Sequence, residues 1–240
     1  MIHPTAVVDG AQIDESATVA EYAVVRAGAV LRAGVIIHPH ALIAENSEVG
    51  EGTEVFHGAV VGQPLARSRA LSRPLEETRP CRVGQRCCIG AHAVLYRGAS
   101  MGDDTLIGDA ASVREQVTIG NRCIIGRHVT INYNVVIGDD TKVMDHTWLA
   151  GNMSVGSHVF ISGGVLTAND NRIGADGYSE ELVIGPTVDD GARIGLGAML
   201  LPGVVIGKGA LVGAGSLVTR DVESGASVRG TPARVTQGAK

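Results

Sequence analysis

Three groups of side chains in this sequence are of a type and spacing that could do chemistry. His128 and His146 stand 18 residues apart, and imidazole is the side chain that takes up a proton near neutral pH. The stretch "TANDN", Thr167 to Asn171, sets Asn169, Asp170 and Asn171 side by side; the carboxamide of Asn169 can orient an amine, and its neighbours can bind a polar substrate. Arg67, Arg69 and Arg73 fall within one short stretch, and guanidinium forks suit phosphate oxygens. Residues 163–187 contain no histidine. A hydroxyl nucleophile needs a base in the transition state, whereas a neutral amine does not, so this stretch favours an amine.

The elements that must position these groups follow from a six-residue beat. From Ile13 an aliphatic residue recurs at Val19, Val25, Leu31, Ile37, Ile43, Val49, Val55 and Val61. A second series runs from Val83 in steps of six to Thr167, and a third from Val188 to Val218. Glycine often follows the aliphatic residue (Gly90, Gly108, Gly126, Gly138, Gly195), and a small or β-branched residue stands four places after it (Ala93, Thr105, Ala111, Ala198). A period of six matches neither helix nor simple strand alternation. It matches short strands joined by tight corners, where glycine supplies backbone freedom and close approach, and it reads as a parallel β-helix. Two stretches break the beat, 62–82 and 168–187, and loops of that length are commonly functional. The expected division is a β-helix over 1–222 carrying both loops, with a tail over 223–240.

Composition narrows the function classes. With 45% hydrophobic residues and 33 glycines but only 3% aromatics, the core must be built from small aliphatics. A net charge of -5 and the lack of any basic run argue against nucleic acid. No apolar stretch is long enough to span a bilayer, and the N-terminus lacks the features of a signal peptide. Cys81, Cys87, Cys88 and Cys123 form no CxxC pair, which fits reduced thiols in a cytoplasmic protein.

The repeat resembles that of the hexapeptide-repeat acyltransferase superfamily. The resemblance implies a left-handed parallel β-helix in which three hexads make one triangular coil and residues 18 apart stack. Roughly ten coils would give a prism about 50 Å tall. It also implies a homotrimer whose loops cover sites between subunits, a cyclic assembly suited to a column that encloses no pocket alone. The tail "GAGSLVTRDV…GTPARV" is similar to that of acetyl-coenzyme A-dependent members. By that likeness Gly197, Ala214 and Gly215 offer backbone contacts to the coenzyme, while Arg234, with Lys208 and Arg220, meets its phosphates. The phrase "GGVLTAN" resembles one found in N-acetyltransferases of nucleotide-linked sugars, which puts Asn169 in the acceptor site. The implied activity moves an acyl group, most often acetyl, from coenzyme A to the amine of a nucleotide-linked amino sugar, with Asn169 and His146 catalytic and no metal required. Arg67, Arg69 and Arg73 would then bind the nucleotide.

Other readings remain open at this point. "MIHPTAVV" and "TIGNRCII" are similar to the UDP-N-acetylglucosamine O-acyltransferase of lipid A synthesis, which uses acyl carrier protein; the position of its catalytic histidine is Glu115 here. His92 and His128, 36 residues apart, have the spacing of zinc ligands in β-helical carbonic anhydrases, but Tyr133 stands where the third would fall. A non-enzymatic scaffold is the remaining alternative.

Overall fold

The computed structural model describes residues 1–66, 68, 79–175 and 179–236. Almost every hexad forms a two-residue strand, and the strands assemble into three parallel sheets of 11, 10 and 12 members. The sheets are the sides of a triangular prism. Face 1 begins with Val7–Val8 and Val24–Val25, face 2 with Gln12–Ile13 and Val30–Leu31, and face 3 with Thr18–Val19 and Ile36–Ile37. The chain runs from face 1 to 2 to 3 and back, so it turns at three edges per coil. Apart from the tail strand Arg234–Val235, which pairs antiparallel with Ser227–Arg229, the pairing is parallel. A single 3-10 turn, Glu180–Leu182, is the helical element among the described residues.

The stack is taller than the roughly ten coils expected. Val7–Val8 pairs with Val24–Val25 at a spacing of 17, and Ser227 pairs with Leu211 at a spacing of 16. Both end strands have slipped out of the six-residue beat, so a period count misses them although the hydrogen-bond ladder continues.

Each coil buries its aliphatic residue and the small residue four places on. Ile37, Ile43, Ile89, Leu95, Ile125 and Leu149 are fully buried beside Ala41, Ala59, Ala93 and Ala111. Cys81, Cys87 and Cys123 belong to the small-residue column and are buried with it; burial pushes the Cys81 thiol up to about 12. Where the column is polar, it is satisfied: Thr53, Thr105 and Thr141 hydroxyls donate to the carbonyls of Gly84, Gly120 and Gly156 at 2.8, 3.0 and 2.8 Å.

The two roles foreseen for glycine fall at different places in the hexad. Glycines directly after the aliphatic residue lie against the next coil: a Cβ on Gly108 would stand 2.7 Å from the Arg127 amide nitrogen. The left-handed backbone comes two residues later, where non-glycine residues are common: His92, Asp104, Arg122, Asn134 and His146 all have φ between +54° and +60°.

Both loops leave face 1 and re-enter on face 2. Arg82 pairs with Glu48, and Thr187 pairs with Ser154, spacings of 34 and 33 in place of 18. They therefore project from the same edge, five coils apart, or about 24 Å along the prism.

Candidate functional site

The 1/2 edge, between the two loops, carries a run of paired polar side chains. At its lower end the Arg97 amide donates to the carbonyl of Gln63, the last residue before the first loop, at 3.0 Å, and its Nη2 pairs with Glu45 at 3.0 Å. One coil up, Arg114 donates through Nε to Glu115 Oε2 at 2.9 Å, and its guanidinium lies 5.0 Å from the centre of the Tyr96 ring. The Glu115 side chain is only 2% exposed. A carboxylate so deeply buried is tolerable because a guanidinium is held against it. Arg67, Arg69 and Arg73 lie outside the described residues.

Further up, asparagines climb the edge. Asn132 Nδ2 donates to the Leu149 carbonyl at 2.9 Å, and Asn134 Nδ2 to Asn152 Oδ1 at 3.1 Å. Asn152 Nδ2 in turn donates to the Val183 carbonyl of the second loop at 2.8 Å. Asn169 belongs to this series: its Nδ2 donates to the Gly151 carbonyl at 3.0 Å, while its main-chain carbonyl accepts from Ile184 at 2.8 Å. It therefore pins both ends of the second loop, and its side-chain carbonyl is the part it can offer to a ligand. Asp170 clamps the turn that follows, accepting from the amides of Arg172 and Gly174 at 2.7 Å each; those two bonds hold its carboxyl below the usual carboxylate range. Asn171 is exposed in that turn.

His146 is elsewhere. It turns the chain from face 3 to face 1 and stacks on His128, ring centres 5.0 Å apart and 5° from parallel. Asn169 turns the chain from face 1 to face 2. One full side of the prism separates them, about six residues or at most some 20 Å. One protomer therefore does not bring this pair to a common acceptor.

The coenzyme residues also divide. Gly197, Ala214 and Gly215 lie on the 3/1 edge above His146, where Gly164 completes a column of glycines; nothing stands within 4 Å of a Cβ added at Gly164, Gly197 or Gly215. Lower on this edge, aspartates of the next coil accept from the amides of Ala91 and Arg127, at 2.9 and 2.8 Å. The equivalent amides of Gly163, Leu196 and Ala214 find no acceptor among the described residues. Beside them Leu196 is 63% exposed, and Trp148, Leu166 and Met199 form an exposed apolar ladder up face 1. This edge can take an extended polar chain along bare amides. Arg220 and Arg234 meet in a separate pocket of about 160 Å³ at the top of the prism, and Lys208 lies on the 2/3 edge, away from both.

A groove of about 320 Å³ on face 3 is lined by Phe56, Cys88, Leu106, Ile124 and Met144. None of the sequence expectations pointed there. Among the described residues no group of three or more His, Cys, Asp or Glu is placed to hold a metal ion; Tyr133 lies on a different edge from His92 and His128. No helix among them is long and apolar enough to cross a membrane.

Two family models match this repeat. The bacterial transferase hexapeptide, six repeats, matches residues 98–133, and the hexapeptide repeat of succinyl-transferase matches residues 80–109 and 187–220. The chain carries the hexapeptide repeat that these families share. This hexapeptide-repeat protein is similar in fold to the UDP-N-acetylglucosamine acyltransferase of Arabidopsis, with 21% identity and a TM-score of 0.59 over 98% of this chain and 73% of that one. The UDP-N-acetylglucosamine O-acyltransferase of Moraxella catarrhalis has 21% identity and a TM-score of 0.51 over the same shares, 98% and 73%. No curated protein matches the chain.

Sequence reasoning missed Tyr96, Arg97, Arg114 and Glu115 as a cluster, and Tyr133 as anything but a missing ligand. One signal was available: all of them lie one or two places after the aliphatic beat on the edge that carries the loops.

Proposed function

We propose that this protein is an acyltransferase that moves an acyl group, acetyl by the resemblance of its tail, from coenzyme A to the amine of a nucleotide-linked amino sugar. The observation that carries the reading is the 3/1 edge, bared at Gly164, Gly197 and Gly215, where the amides of Gly163, Leu196 and Ala214 have no acceptor among the described residues. Pantetheine is an extended chain of amides, and such an edge can bond to it along its length. Arg220 and Arg234 supply charge-assisted donors to phosphate. The family models are named for transferases, which supports group transfer.

In the proposed reaction the neutral amine attacks the thioester carbonyl, a C–N bond forms, and the C–S bond breaks. The departing thiolate or His146 takes the amine proton, leaving an amide and free coenzyme A. A bare edge amide stabilises the oxyanion, and Asn169 accepts from the amine to orient it. Because Asn169 and His146 lie on opposite edges of face 1, the site is composite: one copy brings its loop edge to the glycine edge of the next, as a cyclic trimer allows.

Thiol release from acetyl-coenzyme A, measured across a panel of nucleotide-linked amino sugars, tests this. Asn169→Ala is expected to lower kcat/KM for the best acceptor roughly tenfold, the worth of one good hydrogen bond. A loss of about twofold or less leaves Asn169 without a role, and no release with any amine removes the whole reading.

A further inference from the structure

His128 and His146 occupy equivalent corners of successive coils, both in the left-handed backbone at φ +55° and +60°. Their side chains therefore leave the edge in the same direction. The rings lie parallel to within 5°, centres 5.0 Å apart, close to the ~4.8 Å rise of one coil. The stack is two rings deep. Ala110 stands one coil below His128, and His92 leans the other way, onto the space above Gly58 and edge-on to His57. One coil above His146 stands Gly164, with nothing within 4 Å of its absent Cβ. His146 is thus the first side chain met on coming down the column of bare glycines, and His128 lies beneath it. A base histidine is ordinarily oriented by a carboxylate or carbonyl bonded to its second nitrogen. Neither of these imidazoles has such a partner among the described residues. The adjacent carboxylate, Asp145, is taken up by Arg127: Oδ1 accepts from the amide at 2.8 Å, and Oδ2 from Nε and Nη2 at 3.0 and 2.5 Å. A flat ring under the imidazole does the work of the missing bond.

We propose that His128 is the positioning residue for His146, holding its ring by stacking so that a free nitrogen takes the proton of the attacking amine. This rests on the acyl-transfer reading above and commits it to His146, not the thiolate, as the first proton acceptor. As the C–N bond forms and the C–S bond breaks, the proton passes from the amine nitrogen to the imidazole. It goes on to the departing thiolate, which leaves as the free thiol. His128 touches none of the reacting atoms. It fixes the plane of an otherwise exposed side chain, and an ångström of misplacement can cost about a hundredfold in rate. Lower on the same edge the device recurs with a phenol ring. Tyr22 and His40 are also left-handed, at φ +58° and +61°, and their rings stack at 5.2 Å and 11°.

The test measures kcat and both KM values with acetyl-coenzyme A and the best acceptor of the nucleotide-linked amino-sugar panel. His146→Ala is expected to lower kcat about a hundredfold. His128→Asn keeps a residue suited to the left-handed backbone but removes the ring. Its kcat should fall about tenfold, with both KM values within about twofold of wild type. His128→Tyr, patterned on Tyr22, restores a flat ring and should return kcat to within about twofold of wild type. Adding His128→Asn to His146→Ala should cost nothing further, because His128 acts only through His146. Additive losses in the double variant, or a kcat for His128→Asn within about twofold of wild type, overturn the positioning role. So does a His128→Tyr protein no faster than His128→Asn. A kcat for His146→Ala within about twofold of wild type also overturns it, but leaves acyl transfer standing with the thiolate as proton acceptor. Wild-type protein that releases no thiol with any acceptor overturns both.

Discussion

At the scale of single residues, glycine does two jobs in this protein, separated by two positions in the hexad. Gly108 is closed in by the next coil, its absent Cβ 2.7 Å from backbone atoms of Gly126 and Arg127. Gly209 has φ +66° and open space around it. Gly108→Ala must push coils apart and is expected to cost about 3 kcal/mol. Gly209→Ala faces only the left-handed backbone and should cost about 1 kcal/mol. Urea unfolding of the two variants decides the matter; equal losses would mean that the coils yield more readily than the geometry implies. The same reasoning gives Gly164, Gly197 and Gly215 their meaning. Tyr22, His40, His92, His128 and His146 hold the left-handed position on that edge at φ +55° to +61°. The backbone there does not require glycine, and the coenzyme proposed above would use the space that the column leaves.

At the scale of elements, each edge of the prism has its own chemistry. The 2/3 edge is a charge ladder: Arg86 pairs with Asp104 at 2.7 Å and Arg122 with Asp140 at 2.8 Å, with His158 3.8 Å from Asp140. Hydrogen bonds from these arginines hold the Asp104 and Asp140 carboxyls below their usual range, and the Asn121 amide does the same for Asp139. Groups with lowered folded pKa values add stability in full above the ordinary carboxylate value of about 3.9 and lose it as pH falls through the folded values. The thermal midpoint should therefore hold from about pH 7 to 5 and fall below about pH 4. Arg122→Gln should start lower and fall less, so that the curves converge in acid; parallel curves would show that the ladder adds nothing. Much of this element structure was legible. Two corner residues share an edge only when their hexads are a multiple of three apart. Val143 and Thr167, which precede His146 and Asn169, are 24 residues or four hexads apart, so their separation could have been counted from the sequence. Ile194 and Ile206, before Gly197 and Lys208, are two hexads apart, with the same result. The approach of the Tyr133 ring to Gly151, 2.7 Å from where a Cβ would stand, and the burial of Glu115 against Arg114 were not legible, because they depend on rotamers that the six-residue beat leaves open.

At the scale of the whole molecule, a site needing both Asn169 and His146 must be shared between copies. Asn169→Ala and His146→Ala proteins, each impaired alone, should regain activity when unfolded together and refolded as a mixture. Random cyclic assembly leaves about a quarter of the interfaces with both residues intact, so about a quarter of wild-type transfer should return; none would place the whole reaction within one protomer. The prism also bears on how the chain finds its shape. Strand partners such as Thr118 and Val136 are 18 residues apart in a chain of 240. A relative contact order near 0.08 belongs to helical bundles rather than to sheets. A protein made almost wholly of β-strands can thus assemble coil upon coil, each new turn closing a short stretch of chain on the one before. Only at the two loops, with spacings of 34 and 33, must a longer stretch be closed before the next coil is added, which costs roughly 0.5 kcal/mol more each time. The edge proposed to bind the acceptor is where that growth meets its two small steps.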